Sequence, residues 1–202
     1  MATGAVDKKN QLYPVFLKLD QLNILLVGAG NVGLEKLNSI LSNSPFAKIT
    51  VVAPRIRDEV TKLLSNHASA KLEKRRFQPS DLEGKQLVFL ATDDSHLHEL
   101  IKQMAVEKGI LVNVADTPQL CDFYLSSIVQ KGSLKVSIST NGKSPTVAKR
   151  LREILEDLLP EEIDQLLDNM EELRKDMKGD FQEKVRKLNQ LTTTLLTEKQ
   201  TH

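Results

Sequence analysis

The chain has 202 residues, of which 40% are hydrophobic and 27% charged, a composition typical of a globular protein with a hydrophobic core. Its 28 basic and 27 acidic residues leave a formal net charge of +1, so charge gives no reason to expect nucleic acid or a membrane as partner. Residues 1–10 lack the apolar core of a secretory signal, and no stretch approaches the roughly 20 apolar residues of a membrane helix. The single cysteine, Cys121, fits a reducing compartment, and we expect a cytoplasmic location.

The first predicted element is a strand, Asn23 to Val27, that leads into a glycine-rich turn and a helix over Val32 to Ser42. The turn has the spacing GxGxxG and consists of Gly28, Ala29, Gly30, Asn31, Val32 and Gly33. In this motif the first glycine permits a tight turn, the second lets the backbone approach a pyrophosphate, and the third allows close packing of the helix on the strand. The helix N-terminus supplies amide donors. Such triplets also occur by chance, but the strand before and the helix after favour a dinucleotide site.

The second predicted strand, Lys48 to Val52, lacks a residue that such sites usually have. An Asp or Glu roughly 20 residues after the turn normally holds the ribose hydroxyls. Here the strand continues into Ala53-Pro54-Arg55, so the ribose contacts near Ala53 and Pro54 are expected to be unusual. Alternatively, Arg55 and Arg57 approach a ribose phosphate, which would favour NADP over NAD.

Strands and helices continue to alternate up to about Ala115. Further strands are predicted at Lys71–Arg76, Leu87–Ala91 and Leu111–Ala115, and further helices at Arg57–Ser65 and Ser95–Lys108. The last helix has apolar residues at helical spacing, namely Leu97, Leu100, Ile101, Met104 and Ala105. This order predicts an α/β fold, with a Rossmann-like parallel sheet of about five strands in a domain over residues 11–118.

Polar residues follow the fourth and fifth predicted strands, where a doubly wound sheet binds ligands. After the fourth strand come Thr92, Asp93 and Asp94, which we expect to face the nucleotide, although an aspartate there also caps the next helix. After the fifth come Asn113, Val114 and then Asp116. A carboxylate beside the cofactor can accept a proton while a hydride leaves the substrate, but Asp116 is equally well explained as a turn residue before Thr-Pro.

No metal site is predicted, because His96 and His98 lie on different faces of their helix. Cys121 has no histidine near it in the sequence and is predicted to be a small packed residue.

The pattern changes after residue 118, with a β-rich segment over residues 119–145 and a helical domain over residues 146–202. Phe123–Val129 and Leu134–Ser139 predict a short β pair joined through Lys131-Gly132, the second strand having one dry and one wet face. Ser144 is the expected cap and Pro145 the first residue of the next helix. Three apolar stripes follow, separated by Pro160 and Gly179-Asp180: Val147, Leu151, Ile154 and Leu158; Ile163, Leu166, Leu167, Met170, Leu173 and Met177; Phe181, Val185, Leu188 and Leu195. They stay exposed unless the helices pack together or on a partner.

A cluster of hydroxyls, amides and cations lies where this helical part begins. It consists of Ser139, Thr140, Asn141, Gly142 and Lys143, followed by Lys149, Arg150 and Arg152. Such a cluster suits a polyanionic ligand. Basic residues on the first turns of a helix are also often only a solvated face, and spacing alone favours this simpler interpretation.

In this order the segments resemble the precorrin-2 dehydrogenase family of siroheme biosynthesis, which includes the dehydrogenase and ferrochelatase portion of siroheme synthase. The similarity covers about Leu12 to Leu158 and is carried by Tyr13–Leu17, the glycine turn, Val52-Ala53-Pro54, Ala91–Asp94, Asn113–Phe123 and Ile138–Pro145. The family also has an apolar residue, Ala and Pro at the end of the second strand, so the missing acid resembles a family trait.

The resemblance implies NAD-dependent oxidation of precorrin-2 to sirohydrochlorin, with ferrochelatase activity in some members. It implies a homodimer in which the β-rich segment pairs with its partner, and it gives Asp116 the role of general base. Because the substrate is a polycarboxylate macrocycle, the implied substrate-binding residues are Ser139, Thr140, Asn141, Gly142, Lys143, Lys149 and Arg150.

Two positions depart from the family pattern. The family often has Phe-x-x-Pro-Ser where this chain has Phe123-Tyr124-Leu125-Ser126-Ser127, and Asn141 stands where a glycine is usual, in a left-handed position that Asn tolerates. A different class of function stays open, a non-catalytic nucleotide-sensing or tetrapyrrole-carrying module with the same fold.

Overall fold

The computed structural model of the protein describes residues 9–176 and 181–192. The predicted helix stop at Gly179-Asp180 and the stripe positions Met177 and Leu195 lie outside the described residues, as does the side chain of Phe181. The chain forms two compact units, one of Tyr13–Leu125 and one that joins the residues up to Leu12 with those from Ser126 onward. The predicted division into three segments stays a prediction.

The unit Tyr13–Leu125 is built on a five-stranded parallel sheet with the strand order β3-β2-β1-β4-β5. The strands are β1 (Asn23–Ala29), β2 (Lys48–Ile56), β3 (Lys71–Glu73), β4 (Leu87–Leu90) and β5 (Leu111–Val114). The helices are α1 (Asn31–Asn43), α2 (Asp58–Leu64) and α3 (Ser95–Glu107), with short 3₁₀ turns at Pro79–Leu82 and Pro118–Leu120. The predicted Rossmann-like sheet is confirmed, and the strand order reverses between β1 and β4, where such sheets bind ligands.

The core lies on both faces of this sheet, which explains why β1 is a continuous apolar run. Ile24 and Leu26 belong to a buried cluster with residues of α1 and α2, whereas Leu25 and Val27 belong to a cluster with residues of α3. Burying each of these side chains contributes about 1.5–3 kcal/mol to stability. Leu100, predicted for the apolar face of α3, is 49% exposed, so the buried face of that helix is narrower than its pattern indicated.

Three predicted strand ends are wrong. β1 continues past Val27 to Ala29, so Gly28 and Ala29 belong to the strand. β2 continues past Val52, because Ile56 pairs with Ala29 beyond a register shift in β1. β3 ends at Glu73 and not at Arg76. In the segment that follows, the guanidinium of Arg75 donates to both carboxylate oxygens of Asp81 at 2.6 and 2.9 Å.

The other unit contains an antiparallel hairpin and helices, namely β6 (Ser127–Lys131), β7 (Leu134–Ile138), α4 (Pro145–Leu158), α5 (Ile163–Asp176) and α6 (Phe181–Thr192). The prediction that the first of these strands begins at Phe123 is wrong. Phe123 belongs to the unit Tyr13–Leu125 and contacts the ring of Phe89 edge-on, with the ring centroids 5.4 Å apart. Lys131 pairs with Leu134, so the hairpin turn is Gly132-Ser133 rather than Lys131-Gly132.

The faces of β7 differ less in burial than its alternating sequence predicted. Leu134, Val136 and Ile138 are half-buried, but so is Lys135 on the opposite face. Val129 on β6 is the fully buried residue of this hairpin among those the structure describes. Neither face of β7 is therefore fully buried.

Helix α4 begins as predicted. The Ser144 hydroxyl accepts a hydrogen bond from the backbone amide of Val147 at 3.2 Å, and Pro145 is the first helical residue. The predicted stripe is exposed, with Val147 at 50%, Leu151 at 42%, Ile154 at 46% and Leu158 at 50%. Within the part of the chain that the structure describes, no helix has the length and apolar character needed to span a bilayer.

Candidate functional site

The glycine turn links β1 to α1 in a way that only its glycines permit. Gly28 has φ +106°, and a Cβ at this position would overlap the carbonyl oxygen of Ala91 at the end of β4. A Cβ on Gly33 would overlap the carbonyl oxygen of Gly28. Both glycines therefore allow backbone to contact backbone where β1, β4 and α1 meet.

Gly30 lies in a different environment. It is the N-cap of α1 at φ −82°, and no described atom other than its chain neighbours lies within 4 Å of the place a Cβ would take. The first turn of α1, which is fully described, contains no acidic residue. The positive end of this helix is therefore available to an anion such as a pyrophosphate.

The predicted nucleotide residues lie at the carboxyl ends of four neighbouring strands. These are Gly28–Gly33 at the end of β1 and the start of α1, Ala53 and Pro54 within β2, Thr92–Asp94 after β4, and Asn113 and Val114 at the end of β5. Because the strands are parallel and adjacent, their carboxyl ends share one edge of the sheet. Thus the fold brings all of these segments to that edge.

The segment after β4 is braced by hydrogen bonds. Asp94 caps α3, since its carboxylate accepts from the amide of Leu97 at 3.0 Å, so the capping alternative is confirmed for this residue. The Thr92 hydroxyl lies 2.9 Å from Nε2 of His98, and His98 is only 4% exposed. Burial lowers the pKa of His98, partly opposed by the nearby charge of Asp94. A neutral imidazole therefore holds Thr92 at the ligand edge.

At the end of β5 the side chain of Asn113 joins three parts of the chain. Its oxygen accepts from Nζ of Lys36 at 2.8 Å, and its amide nitrogen donates to the carbonyl of Phe123 at 2.9 Å. Cys121, half-buried in the same loop, has Sγ 3.2 Å from both N and O of Val114, as expected of a packed residue. The amide group of Asn113 therefore orders the loop after β5.

Lys36 was not identified from the sequence. It lies on α1, and burial lowers its pKa, while Coulombic interactions with Cys121, Glu35 and Asp116 partly oppose that shift. Its hydrogen bond to Asn113 joins residues 77 positions apart, which no local pattern encodes. The sequence shows Lys36 only as a lysine on the helix that follows the glycine turn, and this does not mark it as a site residue.

Asp116 follows β5 by two residues and has an exposed side chain. Its φ of 56° is left-handed, a conformation that Asp and Asn adopt more readily than other non-glycine residues. The residue lies in a turn, as the simpler interpretation predicted, and this turn lies at the same edge as the nucleotide residues. The two interpretations are thus compatible.

The extension of β2 carries Arg57 to the glycine turn. The amide of Arg57 donates to the carbonyl of Ala29 at 3.3 Å, and its guanidinium donates to the side-chain oxygen of Asn31. The same guanidinium binds the carboxylate of Glu59 through two hydrogen bonds of 2.6 and 3.2 Å. Glu59 was also not identified from the sequence.

The predicted substrate-binding residues lie together in the other unit, in the loop after β7 and on the first turns of α4. The Thr140 hydroxyl donates to the carbonyl of Ser144 at 3.2 Å and accepts from its amide at 3.3 Å, which closes the loop. Asn141 has φ 54°, which confirms that it takes the left-handed position. The Ser139 hydroxyl accepts from the amide of Asn141 at 3.2 Å.

The cations of this group are exposed. They are Lys143, Lys149 and Arg150, and Arg150 forms an ion pair with Glu153 at 2.9 Å. Because such surface pairs contribute little, Arg150 can exchange its partner for a ligand carboxylate at small cost. In residues 9–176 and 181–192, the structure contains no group of three or more His, Cys, Asp and Glu arranged to hold a metal ion.

Two family models match the chain. Residues 15–127 match the model described as "Putative NAD(P)-binding", and residues 131–158 match the model described as "Sirohaem biosynthesis protein central". The first match covers the whole sheet with its glycine turn, and the second covers the hairpin turn, β7 and α4. The boundary between the two matches falls near the end of the unit Tyr13–Leu125.

Several curated relatives are siroheme synthases. The chain is 39% identical over 171 residues to the siroheme synthase of Pseudoalteromonas atlantica, covering 85% of this chain and 36% of the relative. It is 38% identical over 167 residues to that of Psychrobacter arcticus, covering 83% of this chain and 30% of the relative. The chain thus spans about a third of the length of the curated relatives it matches.

A solved structure, "SirC, precorrin-2 dehydrogenase", has the same fold, with a TM-score of 0.70, 24% identity and 89% of each chain covered. This likeness agrees with the predicted order of a Rossmann-like sheet, a β segment and C-terminal helices. The family resemblance predicted from the sequence is confirmed: the chain belongs to the NAD(P)-binding family found in siroheme synthases.

Proposed function

We propose that the chain catalyses the NAD-dependent dehydrogenation of precorrin-2 to sirohydrochlorin. The observation that carries this proposal is the exposed Asp116 carboxylate at the same sheet edge as the open glycine turn. The printed names of the relatives, siroheme synthase and precorrin-2 dehydrogenase, support the same substrate.

A dinucleotide held at this edge would supply the nicotinamide that takes up the hydride. In this proposal the backbone of Gly28–Gly33 binds the pyrophosphate, and Ala53 with Pro54 lies on the adenosine side. The remaining predicted cofactor residues, Thr92, Asp93, Asp94, Asn113 and Val114, lie toward the nicotinamide side, after β4 and at the end of β5. The open space at Gly30 supports this placement, because the pyrophosphate needs close approach to the backbone.

Asp116 is the proposed general base. When the substrate loses a hydride from one carbon, it loses a proton from its neighbour, and the carboxylate accepts that proton. The left-handed backbone supports this role, since non-glycine residues in this conformation are concentrated at functional sites.

The proposed substrate-binding residues are the loop Ser139–Lys143 and the cations Lys149 and Arg150. The exposure of these cations supports the proposal, because several substrate carboxylates need several accessible positive charges. The ordered loop around Thr140 supports it further, since a preorganised loop loses little entropy on binding.

The chain is further proposed to act as a homodimer. The four apolar side chains of α4 that are 42–50% exposed, Val147, Leu151, Ile154 and Leu158, form one stripe at helical spacing. A stripe of this kind on an amphipathic helix supports association through that face.

The test is an assay of the purified chain with precorrin-2 and NAD, following sirohydrochlorin and NADH by absorbance. Asp116→Asn is expected to lower kcat by about 100-fold or more, because it removes the proton acceptor but keeps a residue that tolerates the left-handed backbone. The exposed turn residue Asp20 provides the control Asp20→Asn, which loses the same charge and should keep full activity. Full activity of Asp116→Asn would refute the proposed base.

Two further arms of the assay separate the other predicted functions. Incubation of sirohydrochlorin with Co²⁺ and no NAD measures the predicted chelatase activity on its own. Tight dinucleotide binding without turnover in either arm would contradict the dehydrogenase and favour the nucleotide-sensing module.

A further inference from the structure

Arg57 lies where a dinucleotide-binding fold recognises the adenosine ribose. Its backbone amide bonds Ala29 of the glycine turn at 3.3 Å, and its guanidinium bonds Asn31 in the first turn of α1. In this fold an arginine near the end of β2 accommodates the 2′-phosphate that distinguishes NADP from NAD. Taken alone, Arg57 therefore favours NADP.

Glu59 changes this expectation because it occupies the guanidinium. Nε and Nη2 of Arg57 donate to the two carboxylate oxygens at 3.2 and 2.6 Å, while Nη1 donates to Asn31. All three nitrogens of the fork are thereby engaged, and a phosphate would have to displace the carboxylate. Glu59 also places a negative charge 2.6 Å from the guanidinium that a 2′-phosphate would have to bind, and its side chain is 56% exposed.

The place of Glu59 in the fold supports a selective role. The residue belongs to the first turn of α2, where the positive end of the helix stabilises a carboxylate. Hydrogen bonding from Arg57 lowers the pKa of Glu59, so the carboxylate stays charged at neutral pH. The acidic residue that usually binds the ribose hydroxyls is absent at Ala53. Glu59, six residues further along the chain, supplies a carboxylate instead.

We propose that Glu59 selects NAD over NADP by holding Arg57 and repelling a 2′-phosphate. This inference rests on the use of NAD in the proposed function. Glu59 is a specificity residue here and takes no part in hydride or proton transfer.

The experiment is calorimetric titration of the full chain with NAD⁺ and with NADP⁺. Glu59→Gln is expected to raise NADP⁺ affinity about tenfold, because the guanidinium becomes available to the phosphate, and to change NAD⁺ affinity less than about threefold. Glu59→Ala should act in the same direction. Circular dichroism of both variants verifies folding.

Two controls isolate the mechanism. Glu107→Gln removes the same charge at the last residue of α3, which is the opposite end of that helix from the ligand edge, and should change neither affinity. The double variant Arg57→Gln/Glu59→Gln should lose the gain for NADP⁺, because the group that binds the phosphate is gone.

Unchanged NADP⁺ affinity in Glu59→Gln would overturn the inference. An equal gain for both dinucleotides would also overturn it, since Arg57 would then act on the shared pyrophosphate. Titration needs no turnover, so the two proposals fail separately. A chain that leaves precorrin-2 unchanged would contradict the proposed function, whereas a gain for NADP⁺ alone in Glu59→Gln would still support the role of Glu59 in selectivity.

Discussion

Gly28 and Gly30 belong to one motif but differ in what an added methyl group would meet. At Gly28 a Cβ would overlap the carbonyl of Ala91, and φ is +106°. At Gly30 it would point into open space, and φ is −82°. The fold thus requires glycine at position 28. At Gly30, by contrast, no neighbouring group of the described chain fills the space that a side chain would take.

Gly30→Ala is therefore expected to separate folding from binding. It should lower the free energy of unfolding by about 1 kcal/mol or less, the usual difference between Gly and Ala at an N-cap. Dinucleotide affinity should fall at least about tenfold, because the methyl group takes the space of close pyrophosphate approach. Urea unfolding and calorimetric titration measure the two effects.

Gly28→Ala is the comparison, and it should lose more than about 3 kcal/mol of stability or fail to fold. Undiminished dinucleotide binding by Gly30→Ala would show that the open space does not receive the ligand.

Single residues could be predicted from the sequence where their partner is nearby in the chain. The Ser144 cap and the left-handed Asn141 follow from local chemistry, and both are found in the structure. The pairs Lys36–Asn113 and Arg57–Asn31 were missed, because they join residues 77 and 26 positions apart. Side chains that meet only through the fold carry no local signal.

Among the elements, the predicted bounds of β4 and β5 are accurate to one residue, and those of β2 and β3 are the least accurate. β4 is an apolar run, as is β1 after Asn23, whereas β3 has only three residues and two of them, Lys71 and Glu73, are charged. The end of β2 was placed too early because Pro54 usually ends a strand, yet Pro54 lies within β2 here, beside a register shift in the pairing.

Helix α3 is attached to the ligand edge through the buried pair His98–Thr92, which predicts a pH dependence. Burial lowers the pKa of His98 below 6.5, so the unfolded chain takes up the proton first as the pH falls. The contribution of His98 to stability is complete above about pH 6.5 and decreases below it, until the pH reaches the lowered folded pKa.

Urea unfolding at about pH 8 and about pH 5 should show this loss in the wild type. His98→Gln keeps a hydrogen-bonding group but does not titrate, so its loss over the same range should be smaller. If the free energy of unfolding falls equally in the wild type and in His98→Gln, titration of His98 is not the cause of the pH dependence.

At the scale of the molecule, the exposed stripe on α4 predicts the oligomeric state. Leu151→Glu places a charge in the middle of this stripe and is expected to convert a dimer into a monomer, measured by light scattering after gel filtration. Glu156→Ala, on the opposite side of α4 by helical spacing, is the control and should leave the mass unchanged. A wild-type monomer, or a Leu151→Glu dimer, would contradict the proposed interface.

The two units differ in how well the sequence predicted them. In Tyr13–Leu125 two buried clusters support a regular alternation of strand and helix, and the predicted strand positions are close to those observed. The hairpin and helices after Ser126 are mostly half-buried or exposed, so their apolar spacing indicated helices and strands but not what covers them.

Cys121 gives this protein a built-in reporter. It is the single cysteine of the sequence, and its thiol is half-buried against Val114 in the loop that begins at Asp116. The partial burial of this thiol restricts its access to a thiol reagent, so the labelling rate reports changes in the exposure of the loop without an introduced label. Saturation with dinucleotide should slow labelling, which makes one natural sulfur atom a kinetic monitor of the loop after β5.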